Sequence, residues 1–336
     1  MVNLMLLPVS RARYYNLVLV LIMIPLVLLS MTIGRSQNLL PLLSELIQGN
    51  ATGISTWLFE QLWLPRTLVA IGVGIALSLA GAIFQTLTRN PLGSPDMIGV
   101  NTGASLGLAA VTIIWPRLVS ESIGALFGAL IIVFLAILAK GRRQFSSVQI
   151  IVAGLALNAM ALALIQFVII GIRPEAATQL TAWMSGSLSQ RDWSDVITIW
   201  MALPLLLSAL VVFYRPLNLL NISPMMATTL GVNVPLVSLK ILLLGTLFAV
   251  VAVVAAGPIA FISLISPHIV KRMIKSNRFL IMPTALTGVI LVLIADLISR
   301  LLPYDAFLPV GIITSFIGGI YLCVLLIVEW KKSLCN

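Results

Sequence analysis

Apolar runs about as long as a bilayer is thick recur along this chain, separated by short polar breaks. A spanning helix needs roughly 20 apolar residues. Runs near 15–33, 66–86, 98–115, 120–139, 148–170, 195–213, 237–256, 258–270, 281–299 and 307–328 meet or approach that length. The eighth is short and opens at Gly257 and Pro258, so part of it is expected to be re-entrant, buried by other helices. With 60% hydrophobic and 9% charged residues, the balance of a soluble domain is absent. The expected fold class is an all-α integral membrane protein of about ten transmembrane helices. It forms one transmembrane domain over 1–336, with tails at 1–14 and 329–336.

Charge placement fixes the expected topology, because short cytoplasmic loops collect Lys and Arg. Ten crossings put both termini on one side. Of the 20 basic residues, Arg35, Arg66, Arg117, Arg173, Arg191 and Arg300 then fall on the other side, and the rest lie with the termini. Both termini are therefore expected to be cytoplasmic; nine crossings would strand Lys331 and Lys332 on the wrong face. Topology accounts for the net charge of +10. No basic stretch interleaves with aromatics as a nucleic-acid surface would. The first run carries no small-residue cleavage site at "GRSQNLL" and reads as a membrane helix, not a signal peptide. Cys323 and Cys335 are not placed to pair, and no metal-ligand spacing occurs.

A transporter powered by an ion gradient buries ionisable residues at membrane depth, and here only Asp296 qualifies. It precedes Arg300 by four residues, so a local helical ion pair is an equal reading. No GxxxxGK[ST] loop is present to cradle ATP, so any energy source lies on another chain. The single His268 has no second ligand or triad partner and reads as a structural or helix-end residue.

Two breaks carry information. "TRNPLGSPDMIG" (88–99) has Pro91 and Pro95 to stop helices, Gly93 and Gly99 for tight turns, and Asp96 as a cap for the next helix; it is also what a plain connector would contain. "NLLNISPMMATTLGVNVP" (218–235) reads, from Pro224 to Gly231, as a short helix with a start and a stop. It suits either a socket on a soluble partner or a membrane-surface helix. At the opposite face Arg66 in "WLPRTL" and Arg300 in "ADLISR" are snorkelling anchors or forked donors for a partner's carboxylates. "LAGAIF" with "GSPDMI" echoes "AAGPIAF" with "ISPHIV" five helices later, an odd offset that suggests inverted halves.

The sequence "LPRTLVAIGVGIALSLAGAIFQTLTRNPLGSPDMIGVNTGAS" resembles the permeases that import iron-siderophores, haem and cobalamin under the power of a separate ATPase. The resemblance continues through "WMSGSLSQRDW", "TTLGVNV", "GPIAFISLISPHIVKR", "ALTGVILVLIADLISR" and "LPVGIITSFIGGIYL", and covers nearly the whole chain beyond residue 60. "GAIFQTLTRNPLGSPDMIGVNTGA" and "GGIYLCVLLIVEWKK" look most like permease subunits for ferric enterobactin. The resemblance implies ten helices in a bacterial inner-membrane subunit, paired with a related second permease subunit. It further implies a cytoplasmic ABC ATPase dimer, which holds the ATP and Mg, and a periplasmic siderophore-binding protein. This chain would carry no cofactor and no catalytic site, and it would move a ferric siderophore, enterobactin-like, into the cytoplasm. Haem, cobalamin or a hydroxamate siderophore are alternative cargoes; an ion-coupled secondary transporter is the remote one.

By the same resemblance, Arg66 and Arg300 dock the binding protein. The coupling segment, 214–236, meets the ATPase through Ser223, Pro224, Met225, Ala227, Leu230, Gly231 and Val232. The turn with Arg89, Asn90 and Pro91 would lie at the inner mouth of the path, with Ser146 and Ser147 at the gate. Two departures from the family pattern are Trp63, where many relatives have Arg, and "SPMM", where Gly and acidic residues usually open the coupling segment.

Overall fold

The computed structural model describes residues 2–31, 57–114, 120–139, 147–172, 174–276, 278–302 and 308–334. Among the described residues every regular element is a helix. Helix α1 (Val2–Ser30) is continuous, so residues 2–14, expected as a tail, lengthen the first helix by about 20 Å, while its apolar span covers Arg11–Ser30. A π-helical turn at Phe59–Trp63 leads into α2 (Leu64–Thr88). Pro65 sits in the first turn of α2, where its missing N–H leaves no bond unmade. Next come a 3-10 turn at Pro95–Ile98, α3 (Val100–Ile114), α4 (Glu121–Ala139) and α5 (Ser147–Gly171). Two helices not foreseen from the sequence are α6 (Pro174–Met184) and, after α7 (Trp193–Val212), α8 (Tyr214–Ile222). The chain ends with α9 (Pro224–Thr229), α10 (Val234–Ala256), α11 (Ile262–Ile274), α12 (Ile281–Leu301) and α13 (Val310–Leu334).

Eight described helices are long and apolar enough to cross a membrane, and α3 is a shorter apolar helix. The tenth segment is α11. Its 13 residues rise only about 20 Å, short of a bilayer core of roughly 30 Å. The non-helical residues 257–261 precede it, with Gly257 and Phe261 both at positive φ. Gly257 and Ile259 in that stretch are buried. Its surroundings are tied by backbone bonds: Ser187 N–H donates to the Ala256 carbonyl at 2.9 Å and Gly311 N–H to the Gly186 carbonyl at 3.0 Å. Irregular backbone at membrane depth survives because protein, not lipid, surrounds it.

Helix α2 is the hub, packed by α7, α10, α11 and α12. Its span is 83% buried, against 6% for α1 and 17% for α5, so the outer faces belong to α1 and α5. Helices α3 and α4 cross at two GxxxG pairs. A Cβ on Gly107 would lie 2.0 Å from the Gly124 carbonyl oxygen, and one on Gly128 2.2 Å from that of Gly103. Lipid is as apolar as Leu, so helices in a bilayer are held by such close backbone approach and by polar contacts. Polar contacts fasten α7 to α2: the indole N–H of Trp193 donates to the Glu60 carbonyl at 3.0 Å and that of Trp200 to the Leu68 carbonyl at 3.1 Å. His268, read from the sequence as a structural or helix-end residue, takes the structural part: it joins α11 to α13 through a hydrogen bond between Nδ1 and the Tyr321 hydroxyl, with the rings edge to face.

Candidate functional site

The polar chemistry gathers at three levels of the bundle. At the end of α2 that carries Arg66, two arginines converge on one carboxylate. Arg66 donates to Asp296 Oδ1 from Nε at 3.0 Å and from Nη2 at 2.6 Å. Arg300, one turn along α12 from Asp296, pairs with Oδ2. Arg300 Nη1 also donates to the Ser30 carbonyl at 2.5 Å, and the Ser30 and Thr67 hydroxyls meet at 3.2 Å. Asp296 is fully buried, while the side chains of Arg66 and Arg300 are 11% and 6% exposed. The sequence treats these arginines as rim residues. The structure turns both inward, so α1, α2 and α12 share one network with a net charge of +1.

Elsewhere, a cavity of about 420 Å³ lies between α3, α5, the junction after α6, the 257–261 stretch and the start of α13. Its polar lining is Asn101, Thr102, Ser105, Ser185 and Ser315, and Leu162 and Ile312 supply apolar wall. Thr102 also hydrogen-bonds Asn158 of α5. Among the described residues the lining is hydroxyl, amide and apolar, without a charged side chain, the pattern of a pocket with a few polar groups on an apolar wall.

At the basic end, Arg89 closes α2 in the left-handed conformation, φ 51°. Its Nη2 reaches the Leu220 carbonyl of α8 at 3.5 Å. Asn90 Oδ1 accepts from Leu92 N–H at 2.9 Å, and Pro91 is exposed. Asp96 does not cap the next helix as the sequence suggests; it accepts from the Asn101 side chain at 2.5 Å. Burial pushes the Asp96 carboxyl up from 3.8 to about 7, against the opposing effect of that bond. Asn101 also lines the cavity, so the turn and the cavity meet at this pair. Ser146 lies outside the described residues; Ser147 opens α5, and its side chain is likewise not described.

The short helix expected from Pro224 to Gly231 folds as α9, with a start and a stop around it. Ser223 caps it, accepting from Met226 N–H at 3.5 Å, with Pro224 in the first turn. Gly231 ends it at φ +83°, a conformation that costs a side-chain-bearing residue about 1–2 kcal/mol. Ala227 is buried and Val232 packs on the core, whereas Met225 and Leu230 are 79% and 62% exposed. Helix α8 is fixed to the rest of the bundle by Asn218, whose Oδ1 accepts from Phe279 N–H at 2.9 Å, just before α12.

A bundle of about ten apolar segments, one of them broken beside a cavity, defines a multi-pass membrane protein. The chain belongs to the FecCD transport family, matched over residues 18–328, whose members are permease subunits of ABC importers that work with a separate ATPase. It is 36% identical over 290 residues to the ferric enterobactin transport system permease protein FepG of Escherichia coli strain K12, covering 85% of this chain and 87% of that one. Identity is 33% over 318 residues to the hemin transport system permease protein HmuU of Yersinia pestis, covering 91% and 94%. A solved inward-facing structure of a metal-chelate type ABC transporter superposes with a TM-score of 0.79 at 28% identity, covering 94% of this chain and 99% of that one.

Proposed function

We propose that this chain is the inner-membrane permease subunit that passes a ferric catecholate siderophore into the cytoplasm. The observation that carries the cargo is the identity to FepG, 36% over 290 residues, a longer match than the 36% over 260 residues to the Fe(3+) dicitrate permease FecD. The uncharged lining of the cavity agrees with a metal carried inside its chelator. Asp296, the residue an ion-coupled transporter would need, is clamped by two guanidinium groups, which weighs against gradient coupling. A second permease subunit would close the path on its open side, where Phe167 of α5 and Phe316 of α13 are 77% and 68% exposed.

In this reading the basic end is cytoplasmic. A loaded binding protein docks at the Arg66–Asp296–Arg300 network, where its carboxylates meet the surplus positive charge. The ATPase takes Met225 and Leu230 on its surface through the segment Ser223–Val232, and the bundle rocks to open the inner mouth at Arg89–Pro91 and Ser146–Ser147. The test is radio-iron uptake in a deletion strain with and without this gene, offering a ferric catecholate, a ferric hydroxamate and haem, before and after ATP depletion. Gene-dependent, ATP-dependent uptake of the catecholate supports the reading. Uptake of another ligand alone replaces the cargo, and uptake surviving ATP depletion overturns the ATP-driven mechanism.

A further inference from the structure

A second groove, of about 660 Å³, opens at the basic end between α1, the junction of α7 with α8, and the start of α12. Its polar corner is Asn16, Tyr214 and Arg215; its apolar wall includes Val211, Val212 and Met282. Arg215 is exposed and has no ion pair among the described residues. The side-chain oxygen of Asn16 is buried with no hydrogen-bond partner among the described residues, a deficit that costs about 1–3 kcal/mol unless a donor arrives. Arg11 and Arg13 of α1 lie within two turns of Asn16 and add to the local positive charge.

The groove thus has an unpaired guanidinium that suits a phosphate, a buried acceptor that needs a hydroxyl, and a wall for an alkyl chain. Basic pockets between membrane helices at the cytoplasmic side take anionic lipid headgroups. We propose that this groove binds an anionic phospholipid with a hydroxylated headgroup, of the phosphatidylglycerol type. The phosphate sits on Arg215, the headgroup hydroxyl donates to Asn16, and an acyl chain lies along Val211, Val212 and Met282. A choline headgroup brings no donor for Asn16 and a cation towards Arg215. Because Arg215 stands in the first turn of α8, the lipid braces the segment that leads to α9. The leaflet rests on the proposed orientation of the basic end; the binding does not.

The test is native mass spectrometry of the full chain in detergent, which has no leaflets and so separates binding from orientation. Equal phosphatidylglycerol and phosphatidylcholine are added. The expected result is preferential retention of phosphatidylglycerol, with the preference reduced about fivefold in Arg215→Gln, reduced also in Asn16→Leu, and kept in Lys240→Gln, a basic residue of the same end outside the groove. Equal retention of the two lipids, or an equal loss in Lys240→Gln, overturns the site. Displacement of the lipid by inorganic phosphate would make it a free-anion site and overturn the lipid assignment.

Discussion

Two guanidinium groups on Asp296 make this carboxylate the most consequential single residue of the Arg66 end. Removing one partner from a buried ion pair costs about 3–5 kcal/mol. Asp296→Asn is therefore expected to lower the melting temperature of the purified protein in detergent markedly, and an unchanged melting temperature would deny the network its structural part. Reversing both arginines to Glu is expected to abolish uptake, but it also gathers three carboxylates at one point. Arg66→Gln is the milder probe of docking, because Arg300 still pairs with Asp296: the melting temperature is expected to fall less than in Asp296→Asn, and binding-protein affinity of the folded fraction is expected to drop without being abolished. Asp96 supplies a pH prediction. Its folded value of about 7 stands above the ordinary 3.8, so its contribution to stability is present below pH 3.8 and is lost as pH rises to 7. Melting curves between pH 4.5 and 8 should show that decline, and Asp96→Asn should flatten it. The pairing of Asp296 with Arg300 is legible in the sequence from its four-residue spacing. The share taken by Arg66 is not, because it depends on how α2 and α12 are set side by side, 230 residues apart.

At the level of elements, short punctuation was more readable than short amphipathic helices. Pro224 and Gly231 bracket α9 as their chemistry requires, Pro at a helix start and Gly in a left-handed turn. Helices α6 and α8 lack the unbroken apolar run that marks a span, so nothing in the pattern announced them, and α11 was recognisable only as a defect. Gly231→Pro forces φ from +83° towards about −65° and removes the N–H that donates to the Thr228 carbonyl at 3.0 Å. ATPase stimulation by the docked binding protein is expected to be lost while the protein still inserts; normal stimulated turnover would refute the coupling role of this segment. At the crossing of α3 and α4, Gly107→Leu places a side chain where a Cβ already lies 2.0 Å from the Gly124 carbonyl oxygen. The two helices must separate, and protease resistance of the purified chain should drop accordingly.

Across the whole molecule, the number of segments is legible in the sequence because it follows from what a bilayer tolerates, while the sidedness of charge is an expectation from the same rule. Fusions of a periplasm-active and a cytoplasm-active reporter to the C-terminus test the orientation: only the cytoplasm-active one should work. What no local pattern reveals is that α12 begins beside the Asn218–Phe279 bond and ends in the Asp296–Arg300 network. Its 21 residues form a rod about 31 Å long. Tilting such a rod by about 3° shifts one end by about 1.6 Å, which is more than a hydrogen bond of this kind survives. Neither membrane face can then be repacked through α12 without the other registering it, so the bundle has a mechanical lever already in place between its two sides.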